Sequence, residues 1–183
     1  MKKIMFNDKY GLTRAVLEGR KTMTRRIIPD NLLRLANEYV QKVHGTGHDF
    51  LDCLLEHAHY KAGEIVAVAQ SYKDLGHPDF LMGDRAGWNN KMFVSALMCY
   101  HQIRITHIRI ERLQDISDKD CEREGLEWIN RSPGIYKRWT FKGVSCDYET
   151  RREAFAALID KVSGNGTWKR NPWVFVYEFV LVK

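Results

Sequence analysis

The stretch "GRKTMTRR", residues 19–26, sets Arg20, Lys21, Arg25 and Arg26 around two hydroxyls, Thr22 and Thr24. Guanidinium groups hold phosphates and carboxylates through paired hydrogen bonds. The stretch therefore reads as a site for an electron-rich ligand, with a hydroxyl placed to react. A basic edge strand whose charges deter pairing with other chains is the competing reading. Aromatic side chains near glycine-rich joints add to the first reading. Tyr72 follows a strand end, Trp88 shares a long loop with Arg85, and Trp168 lies beside "KRNP". Exposed rings next to basic residues can stack bases. His44 and His48 tempt a metal reading, but the glycines between them break the helix that would align them. We expect no metal and no cofactor.

The basic stretch sits at a turn between two elements. Upstream, "DKYGLTRAVLE" puts Leu12, Ala15 and Val16 on one helical face, with Gly19 as its stop. Downstream, the chain reads as extended until Pro29. Residues 30–60 carry two helical patterns, "NLLRLANEYVQKV" and "DFLDCLLEHA", joined by "HGTGH". We read them as a helical insertion, because so short a segment cannot bury a core alone. "AGEIVAVAQSY" gives a short apolar strand from Ile65 to Ala69. Residues 73–90 form a long glycine-rich loop, a candidate lid, and "KMFV" reads as a strand.

"HQIRITHIRIERL" alternates like a strand, but its parity slips near Thr106 and His107, which predicts a β-bulge. "ISDKDCEREGLEW" is a short helix capped by Ser117 and ended by Gly125. "TRREAFAALIDKVSG" opens on a capping box, Thr150 with Glu153, and buries Phe155, Leu158, Ile159 and Val162. "WVFVYEFVLV" is a strand buried on both faces. Strands and helices do not alternate regularly, which disfavours a doubly wound sheet. The expectation is an α+β domain over residues 1–183: a small mixed β-barrel with helices packed outside.

Composition is compatible with this. Apolar residues make up 44% of the 183-residue chain and charged residues 28%. Wholesale disorder is excluded at that balance. A charge of +6 and a pI of about 9.1 suit nucleic acid or nucleotides without demanding them. "MKKIMFNDKYG" is too short and polar for a leader, and no apolar run approaches a membrane span. Four scattered cysteines read as reduced thiols in a cytoplasmic protein.

Four pieces in one order, "AVLEGRKTMTRR", "AGEIVAVAQSY", "ITHIRIERLQDISDKDCEREGL" and "NPWVFVYEFVLV", resemble the ASCH domain family of the PUA-like superfold. The resemblance covers roughly residues 4–29, 60–72, 91–128 and 151–181, and is nearest to the longer bacterial and phage members. The insertions at 30–60 and 73–90 depart from the compact members. The resemblance implies a β-barrel that binds RNA or a modified base. Some compact members remove the acetyl group from the exocyclic amine of acetylcytidine. Carried over by motif, their lysine falls on Lys21, their threonine on Thr24, and their glutamate on Glu124, or on nearby Glu122.

The chemistry is feasible in principle. A free lysine is a poor base, but burial and the charges of Arg20, Arg25 and Arg26 would favour its neutral form. A neutral Lys21 could take the proton of Thr24 as the hydroxyl attacks the acyl carbon. Glu124, in the last turn of its helix, would be a proton donor to the leaving amine. In a regular strand positions 21 and 24 point to opposite faces, so either Lys21 lies in the turn from the helix or a bulge intervenes. The expected partner is RNA or a modified nucleoside. A non-enzymatic RNA-binding module, or a phage-related regulatory module docking a protein through residues 30–60, is the alternative.

Overall fold

The apolar run near the C-terminal end organises the sheet. The computed structural model describes residues 1–129 and 138–182. In chain order its elements are β1 (Lys3–Ile4), α1 (Leu12–Leu17), β2 (Met23–Ile27), α2 (Asp30–Val43), α3 (Gly47–Glu56), β3 (Ile65–Val68) and α4 (Asp79–Met82). They continue with β4 (Gln102–Arg112), α5 (Asp118–Arg123), β5 (Glu127–Ile129), β6 (Arg138–Thr140), α6 (Arg151–Ser163), α7 (Thr167–Arg170) and β7 (Trp173–Leu181). The class is α+β. Five strands form one mixed sheet in the order β1-β3-β4-β7-β2, and β5 pairs with β6 separately. β7 lies between β4 and β2 and is antiparallel to both. Its Val174 to Tyr177 are all buried, as an apolar strand covered on both faces requires.

The predicted bulge is present: β4 pairs Ile105 with Phe179 but His107 with Glu178, leaving Thr106 as the extra residue. α6 starts with the predicted capping box and buries Phe155, Leu158 and Ile159. α2 and α3 contribute Ala36, Cys53 and Leu54 to the main core, so the 30–60 segment is built into the fold. "KMFV" is not a strand but a 3-10 turn, Lys91–Phe93. The Asn90 side chain accepts from the Met92 N–H, and the Lys3 amine gathers the carbonyls of Lys91, Met92 and Val94, which no ladder then uses. No helix among the described residues is long and apolar enough to cross a membrane.

The sheet is open. β1 and β2 are its two edges, and strand pairing does not close the expected barrel. Alternation of the peptide groups shows why. The carbonyls of Lys2 and Ile4 accept from β3, which turns those of Lys3 and Met5 outward. Side chains meet them instead: the Tyr60 hydroxyl donates to Lys3 at 3.0 Å, and Arg26 Nη2 donates to Met5 at 2.6 Å. At the two ends of β2, Thr22 accepts from Phe179 and Ile28 donates to Trp173, so even positions serve β7. The peptide groups of Arg25 and Ile27 therefore face the seam between the edges.

Burial pushes the Tyr60 phenol up to about 12, which keeps it a donor. Tyr60→Phe leaves the Lys3 carbonyl without its partner. Denaturant unfolding should show a loss of about 1 kcal/mol.

Candidate functional site

A cavity of about 380 Å³ opens on the seam, between residues 5–7 after β1 and residues 24–27 of β2. Its floor holds Lys21, Arg25 and Glu124, and α6 supplies an apolar wall from Phe155 to Val162. Lys21 reaches it because the chain leaves α1 through Gly19, whose φ of +73° only glycine adopts readily. The Lys21 N–H is tied back to Ala15 at 2.8 Å, and β2 begins only at Met23. Lys21 thus lies in the turn, and it and Thr24 line the same cavity.

Glu124 arrives from the opposite side as the C-cap of α5. Gly125, at φ +100°, follows it, and a Cβ there would sit 3.3 Å from Ala15 and 3.4 Å from Lys21. A side chain at position 125 would both strain the backbone and crowd the turn that delivers the lysine. The Lys21 amine donates to Glu124 Oε2 at 2.5 Å and to the Glu124 carbonyl at 2.8 Å. Arg25 Nη1 donates to Glu124 Oε1 at 3.0 Å. Both carboxylate oxygens therefore face cation donors. That is the position of an acceptor that fixes the amine, not of the proton donor expected from the helix end.

The network extends outward. Arg25 also holds Glu111 at 2.6 Å, and Arg109 spans Glu111, Asp120 and Glu178. Arg123 closes it on Glu178 and Asp120. Lys21, Arg25, Arg109 and Arg123 thus meet Glu111, Asp120, Glu124 and Glu178, four cations against four anions. Burial lowers the Lys21 pKa below its ordinary value; Glu124 opposes this, while Arg26 and Arg25 reinforce it. Thr24 is also buried, yet its hydroxyl makes no hydrogen bond to any described residue, Lys21 included.

The remaining sequence candidates divide. Arg26 lines the cavity and has no carboxylate partner among the described residues. Arg25 lines it too, but as a buried member of the network rather than a free ligand group. Arg20 turns away to Glu18 and Glu127, in a different groove. Thr22 accepts from Arg123 Nε at 3.1 Å and braces α5. Tyr72 and Trp88 line no part of this cavity; their segments are joined through backbone bonds, Tyr72 to Gly87 and Lys73 to Trp88. Trp168 stands behind the wall, edge-on to Phe155 at 6.0 Å and covered by Arg152. Glu122 is drawn off to Arg151, which leaves Glu124 as the carboxylate of the site.

Sequence reasoning missed Phe6, Asn7 and Phe155 as lining, and Glu111, Asp120 and Glu178 as partners of the arginines. Glu178 carried a signal, being the lone charge in an apolar strand. Among the described residues, no three His, Cys, Asp or Glu side chains gather as metal ligands. Comparison with protein-family models, curated proteins and solved structures finds no match.

Glu124→Gln strips a charge from between two buried cations. Chemical denaturation should show a loss of about 3 kcal/mol or more. Because Lys21 binds its proton less tightly in the folded chain, the unfolded chain holds more protons below about 10.5. Lys21's contribution to stability should therefore rise with pH from its lowered folded value toward the ordinary one. Unfolding of the wild type across the alkaline range should show that rise, and Lys21→Met should lack it.

Proposed function

We propose that the cavity binds a nucleobase or nucleoside, free or in RNA, and that Lys21 and Thr24, with Glu124, hydrolyse an amide on it. The observation that supports this reading is a buried amine, held by one carboxylate, lining the same hollow as the hydroxyl of Thr24, which has no hydrogen-bond partner among the described residues. On this reading the chain is an ASCH-type protein of the cytoplasm, and its open sheet is a PUA-like barrel unzipped along one seam. The apolar wall of α6 and the ring of Phe6 suit the face of a base, and Asn7 offers it an amide.

The chemistry uses side chains alone. Burial favours the neutral amine of Lys21, and Arg25 draws on the charge of Glu124 that would otherwise hold the ammonium. The amine takes the Thr24 proton as Oγ1 bonds to the acyl carbon. The outward peptide N–H of Arg25, next in the chain, is the donor aimed at the seam for the developing oxyanion. The carbon–nitrogen bond breaks, and the Lys21 ammonium returns the proton to the leaving exocyclic nitrogen. Water then attacks the Thr24 ester and gives a proton to Lys21; the carbon–Oγ1 bond breaks, the Lys21 ammonium returns that proton to Oγ1, and the carboxylic acid leaves. Glu124 keeps the amine aimed throughout.

A non-enzymatic reading rests on a different observation. Leu35, Tyr39 and Val43 stay exposed along one stripe of α2, the kind of face that docks a protein partner. Charging that stripe with Tyr39→Asp would leave hydrolysis intact under the first reading.

Release of the acetyl group from acetylcytidine is followed by ultraviolet absorbance. Lys21→Ala and Thr24→Ala should each lower kcat/KM by about 10²–10⁴-fold, the range for loss of a positioned acid–base or nucleophilic group. Thr24→Ser should keep most of the activity. Hydrolysis that persists in both alanine variants rules the mechanism out.

A further inference from the structure

A second cavity of about 510 Å³ adjoins the first along the same seam. The two share Met5, Arg26 and Ile27 as a common wall. Its other residues include His57, His59 and Tyr60 from the end of the 30–60 segment, Phe175 and Tyr177 from β7, and Lys3, whose amine is taken by the carbonyls of Lys91, Met92 and Val94. No Asp or Glu lines it. Glu64, the carboxylate felt by Tyr60 and Tyr177, is engaged by Lys2 at 3.1 Å.

The cation at the partition is available. Arg26 spends Nη2 on the Met5 carbonyl, while Nε and Nη1 make no hydrogen bond to a described residue. Every arginine of the Lys21 network, by contrast, has a carboxylate partner. On the far wall, His57 bonds through Nδ1 to the Cys53 carbonyl at 2.8 Å, which makes Nδ1 the donor and leaves Nε2 free for a ligand. Tyr60 and Tyr177 meet edge-on at 5.2 Å, giving an apolar floor between these polar groups.

We propose that this second cavity takes the ribose phosphate of the nucleotide whose base occupies the first. The guanidinium of Arg26 suits the phosphate, the free Nε2 of His57 is an acceptor for a ribose hydroxyl, and the aromatic floor lies under the sugar. Arg26 would then be the hinge of recognition, touching both halves of one ligand. The assignment rests on the nucleobase reading above and narrows it: the preferred substrate is a nucleotide, not a bare nucleoside. It also gives the 30–60 insertion a place in binding, through the turn that carries His57 to Tyr60.

The test compares acetylcytidine, its 5′- and 3′-monophosphates, and a short oligoribonucleotide carrying one acetylcytidine. At least one monophosphate should show a KM lower than the nucleoside's by about tenfold or more, as a charge-assisted contact implies. Arg26→Gln should bring that ratio close to one. His57→Leu, which leaves the Met5 bond in place, should raise the KM of the nucleoside and of the monophosphates alike. Ribose 5-phosphate serves as a probe that needs no hydrolysis, and calorimetry should show it binding the wild type and not Arg26→Gln. Binding of that probe without any amide hydrolysis supports the second cavity and defeats the catalytic reading. Equal KM values for nucleoside and monophosphates, with no probe binding, overturn the second cavity and leave catalysis standing. A gain seen with the oligonucleotide alone overturns the assignment to the substrate's own phosphate.

Discussion

One carboxylate holds the site together. Glu124 accepts the Lys21 amine on one oxygen and the Arg25 guanidinium on the other, at a position buried from solvent. Neither Arg25 nor a protonated Lys21 could be left there alone, because an unpaired buried charge costs several kcal/mol. The constraint propagates. α5 has to dock its C-terminal end against the turn before β2, Gly125 has to be a glycine, and Arg109 and Arg123 have to satisfy the carboxylates that remain. The basic stretch of the sequence is thus mostly neutralised. Its charge is spent on geometry, with Arg26 as the exception.

The open seam is the second consequence. β1 is two residues long and cannot span the edge of β2, so the Arg26 side chain reaches the Met5 carbonyl where backbone bonds would have closed a barrel. An edge left unpaired is ordinarily a liability. Here it is lined with two cavities, and it turns the peptide groups of Arg25 and Ile27 toward them. A closed ladder at this point would have filled the cavity that Lys21 and Thr24 line.

Much of this was legible in the residues. The period of "TRREAFAALIDKVSG", its capping box, and the parity slip in β4 are local patterns, and local patterns are what a sequence displays. The convergence of Lys21 with Thr24 was legible only as a condition, that the lysine lie in the turn, and Gly19 hinted at it. The partners of Arg25 were not legible, because Glu111, Asp120 and Glu124 come to it from distant parts of the chain by topology. Trp168, Tyr72 and Trp88 misled for the same reason: a tryptophan beside basic residues looks alike whether it stacks a base or braces a wall. Barrel closure failed on length, since "KI" offers too little strand to pair.

The central claim is that Thr24 reacts with an acyl group while Lys21 manages its proton. Rapid quenching of a single turnover with acetyl-labelled acetylcytidine, followed by peptide mass spectrometry, tests it most directly. The account predicts one acetyl group on the peptide holding residues 22–25, placed on the Thr24 hydroxyl and absent from Thr24→Ala. Label on any other side chain, or acetate released at full rate by Thr24→Ala, would contradict it.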